Sequence, residues 1–153
     1  AVATLQPDVV MVMSSVWDVQ DRRLTKGGPL LSPTDPAVEE QMTQSLGQFT
    51  DSLSAAGAPR VVWLKSPIPL PSLAGGEDIQ DQPGRQAALR RAIESVGFSR
   101  PNVKVIDFAA WLATQPIADD REARVDGVHF SNGAALLIAN DFLGPVLIKA
   151  AQT

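Results

Sequence analysis

Residues 57–69 read GAPRVVWLKSPIP. At their centre RVVWL (60–64) is a short run of β-branched and aromatic residues, with Gly57 and Pro59 ahead of it and a Pro-rich stretch behind it. This is the composition that fits a pleated sheet, and the lack of polar alternation is the pattern of a strand covered on both faces. DVVMVM (8–13) reads the same way, and VKVI (103–106) supplies a third run. The first two are therefore expected as central strands of a covered sheet.

Helical periods separate the runs. Val38, Met42, Leu46, Phe49 and Leu53 keep one apolar stripe, with Gly57 at the C′ position beyond it. Ala88, Leu89, Ala92, Ile93 and Val96 repeat the pattern, followed by Gly97. FAAWLA predicts a short helix after the third strand. Residues 132–149 predict a very apolar helix, with Ser131 or Asn132 as N-cap and a kink or break at Gly144-Pro145. Strand and helix alternating three times predict an α/β fold, with a mostly parallel sheet joined by right-handed crossovers.

The connections are unequal. Helix-to-strand links are short, whereas the segments after the strands are long, the second running from Ser66 to Pro83. Long loops in a compact domain are mostly functional or disordered. These leave the carboxyl edge of the sheet, where open α/β folds bind ligands. Gly27-Gly28 and Gly75-Gly76 lack the spacing of a phosphate or dinucleotide cradle and read as turn glycines.

The chain has 153 residues, 44% apolar and 20% charged, which is the composition of one globular domain spanning residues 1–153. No stretch is expected to approach the roughly 20 apolar residues of a membrane span. A net charge of −4 argues against nucleic acid as a partner. The absence of cysteine excludes disulfides, thiolate metal sites and cysteine nucleophiles. With a single histidine, no metal site and no cofactor are expected. Most of the arginines are expected on the solvated face; the exception is Arg124, which is placed to anchor its loop, meet substrate, or pair with Glu122 or Asp120. Trp63 and Trp111 are expected in the core.

That histidine lies in RVDGVHFSNGA (124–134). Asp126 and His129, with Gly127 between them to allow a tight turn, can set a carboxylate against Nδ1 and leave Nε2 free. A carboxylate there fixes the tautomer and stabilises the imidazolium formed when Nε2 takes a proton from a nucleophile. By spacing alone, a plain turn histidine is an equal reading.

The block R-x-D-G-V-H-F-S-x-x-G-A, followed by an apolar helix, resembles the C-terminal block of SGNH (GDSL-like) hydrolases. It is most similar to the SGNH domain that follows the membrane part of bacterial O-acyltransferases. PDVVMVMSSVWDVQDRR (7–23) looks like the segment that carries the family's third block, and GAPRVVWLKSPIP like the next strand. The resemblance implies a three-layer α/β/α, flavodoxin-like domain. It gives Asp126 and His129 the acid and base of a Ser-His-Asp triad, with no cofactor. It further implies O-acyl transfer or ester hydrolysis, O-acetyl being favoured, on a cell-envelope glycan or glycolipid, in an extracytoplasmic setting beside a membrane acyltransferase domain.

Two departures stand out. The family's Gly-x-Asn-Asp block is Ser15-Val16-Trp17-Asp18 here, so Ser15 and Trp17 occupy the places that would meet the substrate or oxyanion. Losing an oxyanion donor costs about 100- to 1000-fold in turnover. The nucleophile block has no counterpart either; Ser15 and Ser66, each at the carboxyl end of a strand, are the candidates for a nucleophile within the chain, although a serine there is more often a turn or capping residue. The expectation is that residues 1–153 are the C-terminal two thirds of an SGNH-like domain, that an upstream polypeptide supplies the first strand and the nucleophilic serine, and that without it the sheet lacks a central strand and folds poorly. Another class of function is a non-catalytic module that binds carbohydrate or docks a partner. The Trp17 replacement favours that class; the retained Asp126 and His129 oppose it.

Overall fold

The computed structural model describes residues 1–71 and 81–152. Gly75-Gly76 and the middle of the 66–83 connection lie outside the described residues. A short helix α1 (Val2–Leu5) precedes β1 (Val10–Ser14), α2 (Pro36–Ala55), β2 (Val61–Lys65), α3 (Pro83–Phe98), β3 (Val103–Ile106) and α4 (Phe108–Leu112). The chain ends with α5 (Asn132–Ile138), a π-helical turn (Ala139–Leu143) and α6 (Gly144–Gln152). The sheet is parallel in the order β1-β2-β3, with Val12 beside Trp63 and Trp63 beside Val105.

β2 is the axis of the molecule. Val61 and Trp63 point into a core formed with α2 and α3, through Met42, Leu46, Leu89, Ile93 and Val96. Val62 and Leu64 point the other way, toward Phe108, Leu112, Ile138 and Ala150. All four strand residues are 1% exposed or less. Burying each side chain of this kind is worth roughly 1.5–3 kcal/mol, so β2 joins two cores into one three-layer α/β/α unit. The indole of Trp63 donates to Thr50 Oγ1 at 3.0 Å, which satisfies its one polar atom inside the core.

The helices form where the apolar stripes predicted them. Asp35 caps α2 by accepting from Ala37 N–H at 2.9 Å, with Pro36 in the first turn. Gly57 follows the helix as expected. Gly97 does not act as a cap, because α3 continues through it to Phe98. A Cβ at Gly97 would collide with Val105 Cγ2, so this glycine lets α3 pack closely on β3. Ser131, rather than Asn132, caps α5. At the expected kink the helix widens: Gly144 N–H reaches back five residues to Ala139 O, and Pro145 beyond it has no N–H to offer.

Three expectations need correction. First, β1 is an edge strand of the described sheet rather than a central one: Met11 is 40% and Met13 52% exposed, on the face that β1 shares with Val62 and Leu64. Apolar side chains on both faces describe what covers a strand above and below, and leave open whether it is hydrogen-bonded on both sides. Second, the 21-residue helical stretch 132–152 is long and apolar enough, by length and composition, to cross a membrane. Here its inner side packs on the sheet through Ile138, Phe142, Leu143, Leu147 and Ala150. Third, Arg85 departs from the solvated face expected of most arginines. Arg85 is 8% exposed, pairs with Asp21 at 2.5 Å and donates to Val19 O at 3.1 Å, tying the loop after β1 to the start of α3.

Candidate active site

Parallel strands carry their successor loops to one edge, and three of these loops meet at the carboxyl end of the sheet. Ser14 and Ser15 close β1 and Ser66 follows β2. The segment after β3 passes through α4 and returns as the turn that holds Asp126 and His129. Ser14, Ser15, Trp17, Asp18, Ser66 and His129 border a common cavity of about 330 Å³, with Pro67, Val128 and Phe130 among its apolar walls. A cavity of about 630 Å³ at the opposite end of the strands is bordered by Pro59, Arg60, Asn102 and Lys104 and carries no histidine or carboxylate.

The turn is built around one carboxylate. Asp126 Oδ1 accepts from Val128 N–H at 2.9 Å and from His129 N–H at 2.7 Å. Asp126 Oδ2 lies 2.6 Å from His129 Nδ1. Gly127 turns the chain with φ +82°. The hydrogen bond from the His129 ring, followed by those from the two backbone N–H groups, holds the Asp126 carboxyl far below the ordinary carboxylate range. An ionised carboxylate can only accept, so the proton between the two groups sits on Nδ1, and Nε2 is the ring nitrogen left facing away from the carboxylate. The same carboxylate thus shapes the turn and holds the ring.

The strand ends are coupled as well. Ser66, 2% exposed, donates to Ser14 O at 2.8 Å, and Ser14 donates to the Asp18 carboxylate. Both hydroxyl protons are thus engaged. The Ser15 side chain makes no hydrogen bond among the described residues. Trp17 stands 83% exposed at the rim. Trp63 is in the core, while Trp111 is only half-buried and stacks on Phe142 with ring centres 4.7 Å apart. The His129 side chain is 84% exposed, and no hydroxyl among the described residues is bonded to its ring.

Sequence reading brought together Asp126, His129, Ser15 and Trp17, and the structure sets all four at this edge. It missed Ser14 and Asp18 as cavity groups and Ser66 as the tie between β1 and β2. The signal available was position alone: Ser14 and Ser66 each lie where a parallel strand ends. Arg124 pairs with neither Glu122 nor Asp120; it anchors its loop through main-chain carbonyls.

The layers and the parallel strand order make an α/β/α fold, and the comparison with solved structures bears on that fold alone. The crystal structure of the lipase/acylhydrolase from Enterococcus faecalis is similar over 97% of this chain, at TM-score 0.61 and 21% sequence identity. The chain spans 63% of the length of that structure. No model of a protein family and no curated protein sequence matches the chain.

Proposed function

We propose that this domain performs acyl chemistry on esters, with His129 as general base and Asp126 as the carboxylate that orients it. The observation that carries the reading is the 2.6 Å contact between Asp126 Oδ2 and His129 Nδ1 at the ligand-binding edge of a parallel sheet. The fold shared with a lipase/acylhydrolase and the resemblance of residues 124–134 to the SGNH block add support. His129 Nε2 takes the proton of a nucleophilic hydroxyl as its oxygen bonds to the ester carbonyl carbon, and Asp126 stabilises the resulting imidazolium. The imidazolium then protonates the departing alkoxide. Water gives hydrolysis in the second half-reaction, and an acceptor hydroxyl gives transfer.

The serine hydroxyl in this reading comes from polypeptide that pairs with the free edge of β1. Supporting this, β1 has no neighbour beyond β2 among the described residues and carries exposed Met11 and Met13. The His129 ring is uncovered, whereas acyl transfer runs best where water is excluded. Ser15 is the alternative donor of the hydroxyl within the chain. The substrate class we favour is an O-acyl, chiefly O-acetyl, ester of a cell-envelope glycan or glycolipid, in an extracytoplasmic setting and in company with a membrane acyltransferase domain. This follows from the sequence resemblance alone.

The second reading, a binding module without catalysis, is favoured by Trp17: an exposed indole stands where the family has an amide that binds the oxyanion. Hydrolysis of p-nitrophenyl acetate by the intact native protein separates the two. Catalysis requires His129→Ala to lower the rate by about 100- to 10,000-fold. Equal rates for the two proteins would leave only the binding module.

A further inference from the structure

Among the described residues Arg124 is the most deeply buried cation, at 3% exposure, and no carboxylate lies within ion-pair distance of it. A guanidinium taken out of water without a direct ion-pair partner is costly to bury; its desolvation pushes its pKa down, against the weaker pull of the Asp119 and Asp126 carboxylates. What holds it is a set of carbonyl dipoles from three separate segments. Nη1 donates to Ala118 O at 3.1 Å, and Nη2 donates to Ile68 O at 2.9 Å and to Gly127 O at 2.8 Å. The Phe130 ring lies under the guanidinium, 5.6 Å from Cζ to the ring centre. Leu70 N–H donates to the same Gly127 carbonyl at 2.9 Å.

We infer that Arg124 is the positioning residue of the Asp126–His129 pair, locking the Gly127 peptide so that both ends of the turn stay on one carboxylate. The Gly127 carbonyl belongs to the peptide whose N–H is that of Val128. That N–H, with the next one, fixes Asp126 Oδ1. If Nη2 is removed, the peptide can rotate about its glycine hinge, the two N–H groups lose their aim, and Oδ2 no longer holds the imidazole in one orientation. Simple packing does not require this arrangement. Reaching three carbonyls with two nitrogens of one planar fork does, and lysine, whose three donors sit on a single nitrogen, cannot span them.

The inference rests on the proposed role of His129 but is tested without turnover, because the chain's one histidine gives one pair of ring nitrogen signals. In ¹⁵N spectra, Arg124→Gln and Arg124→Lys should both lose the Nδ1–H signature of His129 and show tautomer-averaged ring nitrogens. The Trp63 Nε1–H, bonded to Thr50 in the opposite core, should keep its shift and so report an intact fold. If the intact protein hydrolyses esters, both variants should lose about 100-fold in kcat with KM little changed, the size of loss a slightly misplaced group brings. Folded variants that keep the wild-type His129 signature would overturn the inference. Should neither variant fold, the wild-type Arg124 Nη protons decide: resolved, slowly rotating signals support the clamp, and one averaged signal overturns it. Loss of the His129 signature in a protein with no esterase activity would keep the positioning role and remove the catalytic one.

Discussion

Asp126 divides its two oxygens between structure and chemistry. Oδ1 takes the backbone N–H groups that make the turn, and Oδ2 takes the imidazole. The division depends on Gly127, whose φ of +82° is a conformation that side-chain-bearing residues reach only at a cost of about 1–2 kcal/mol. A Cβ there would also sit 2.7 Å from Leu70 O. Gly127→Ala should therefore destabilise the domain by at least that amount in chemical denaturation, at unchanged m-value; an unchanged midpoint would contradict this account of the turn. The Asp126–His129 pair was legible in the sequence because both partners lie on one turn, where spacing is geometry. Ser66 and Ser14 were not legible as a coupled pair, because their contact depends on the register between β1 and β2. Nor could spacing show that Arg124 seeks carbonyls of residues 68 and 118 rather than a neighbouring acid.

Among the strands and helices, the sequence spoke clearly about faces and poorly about neighbours. β2 and β1 share the same unbroken apolar character, yet one is central and the other an edge, since strand order is a property of the whole chain path. Gly97 shows a similar limit. A glycine after an apolar stripe reads as a helix end, whereas here its missing side chain admits Val105 against α3. Gly97→Ala should cost about 1–3 kcal/mol by overpacking. Val105→Ala placed beside it should recover part of that loss, with a coupling energy of about 0.5–3 kcal/mol in a double-mutant cycle. Strict additivity of the two changes would show that helix and strand do not meet at this point.

Taken together, the molecule's charges set its response to pH. Glu39 is held below its ordinary range by hydrogen bonds from Arg91, and Asp51 likewise by Arg100. Burial works against ionisation of Asp107, but hydrogen bonds from Lys65 and from Ala110 N–H outweigh it and lower its pKa too. With Asp126, these are groups that the unfolded chain protonates first. Their contribution to stability is complete above about pH 5 and drains away as pH falls through their lowered folded-state values. Lys65 is raised by Asp107 and Glu94, so its contribution persists to alkaline pH and is lost only as pH climbs through that raised value. Thermal melts should hold level near neutrality and drop below about pH 4; a melting temperature that rises on acidification would reverse the sign. The functional proposal itself reduces to where one proton sits on the chain's one imidazole. A ¹⁵N–¹H correlation spectrum of His129, recorded above its titration, measures that directly. The account requires the proton on Nδ1, facing Asp126, with Nε2 bare; a ring protonated chiefly on Nε2, or averaged between the two nitrogens, would contradict it.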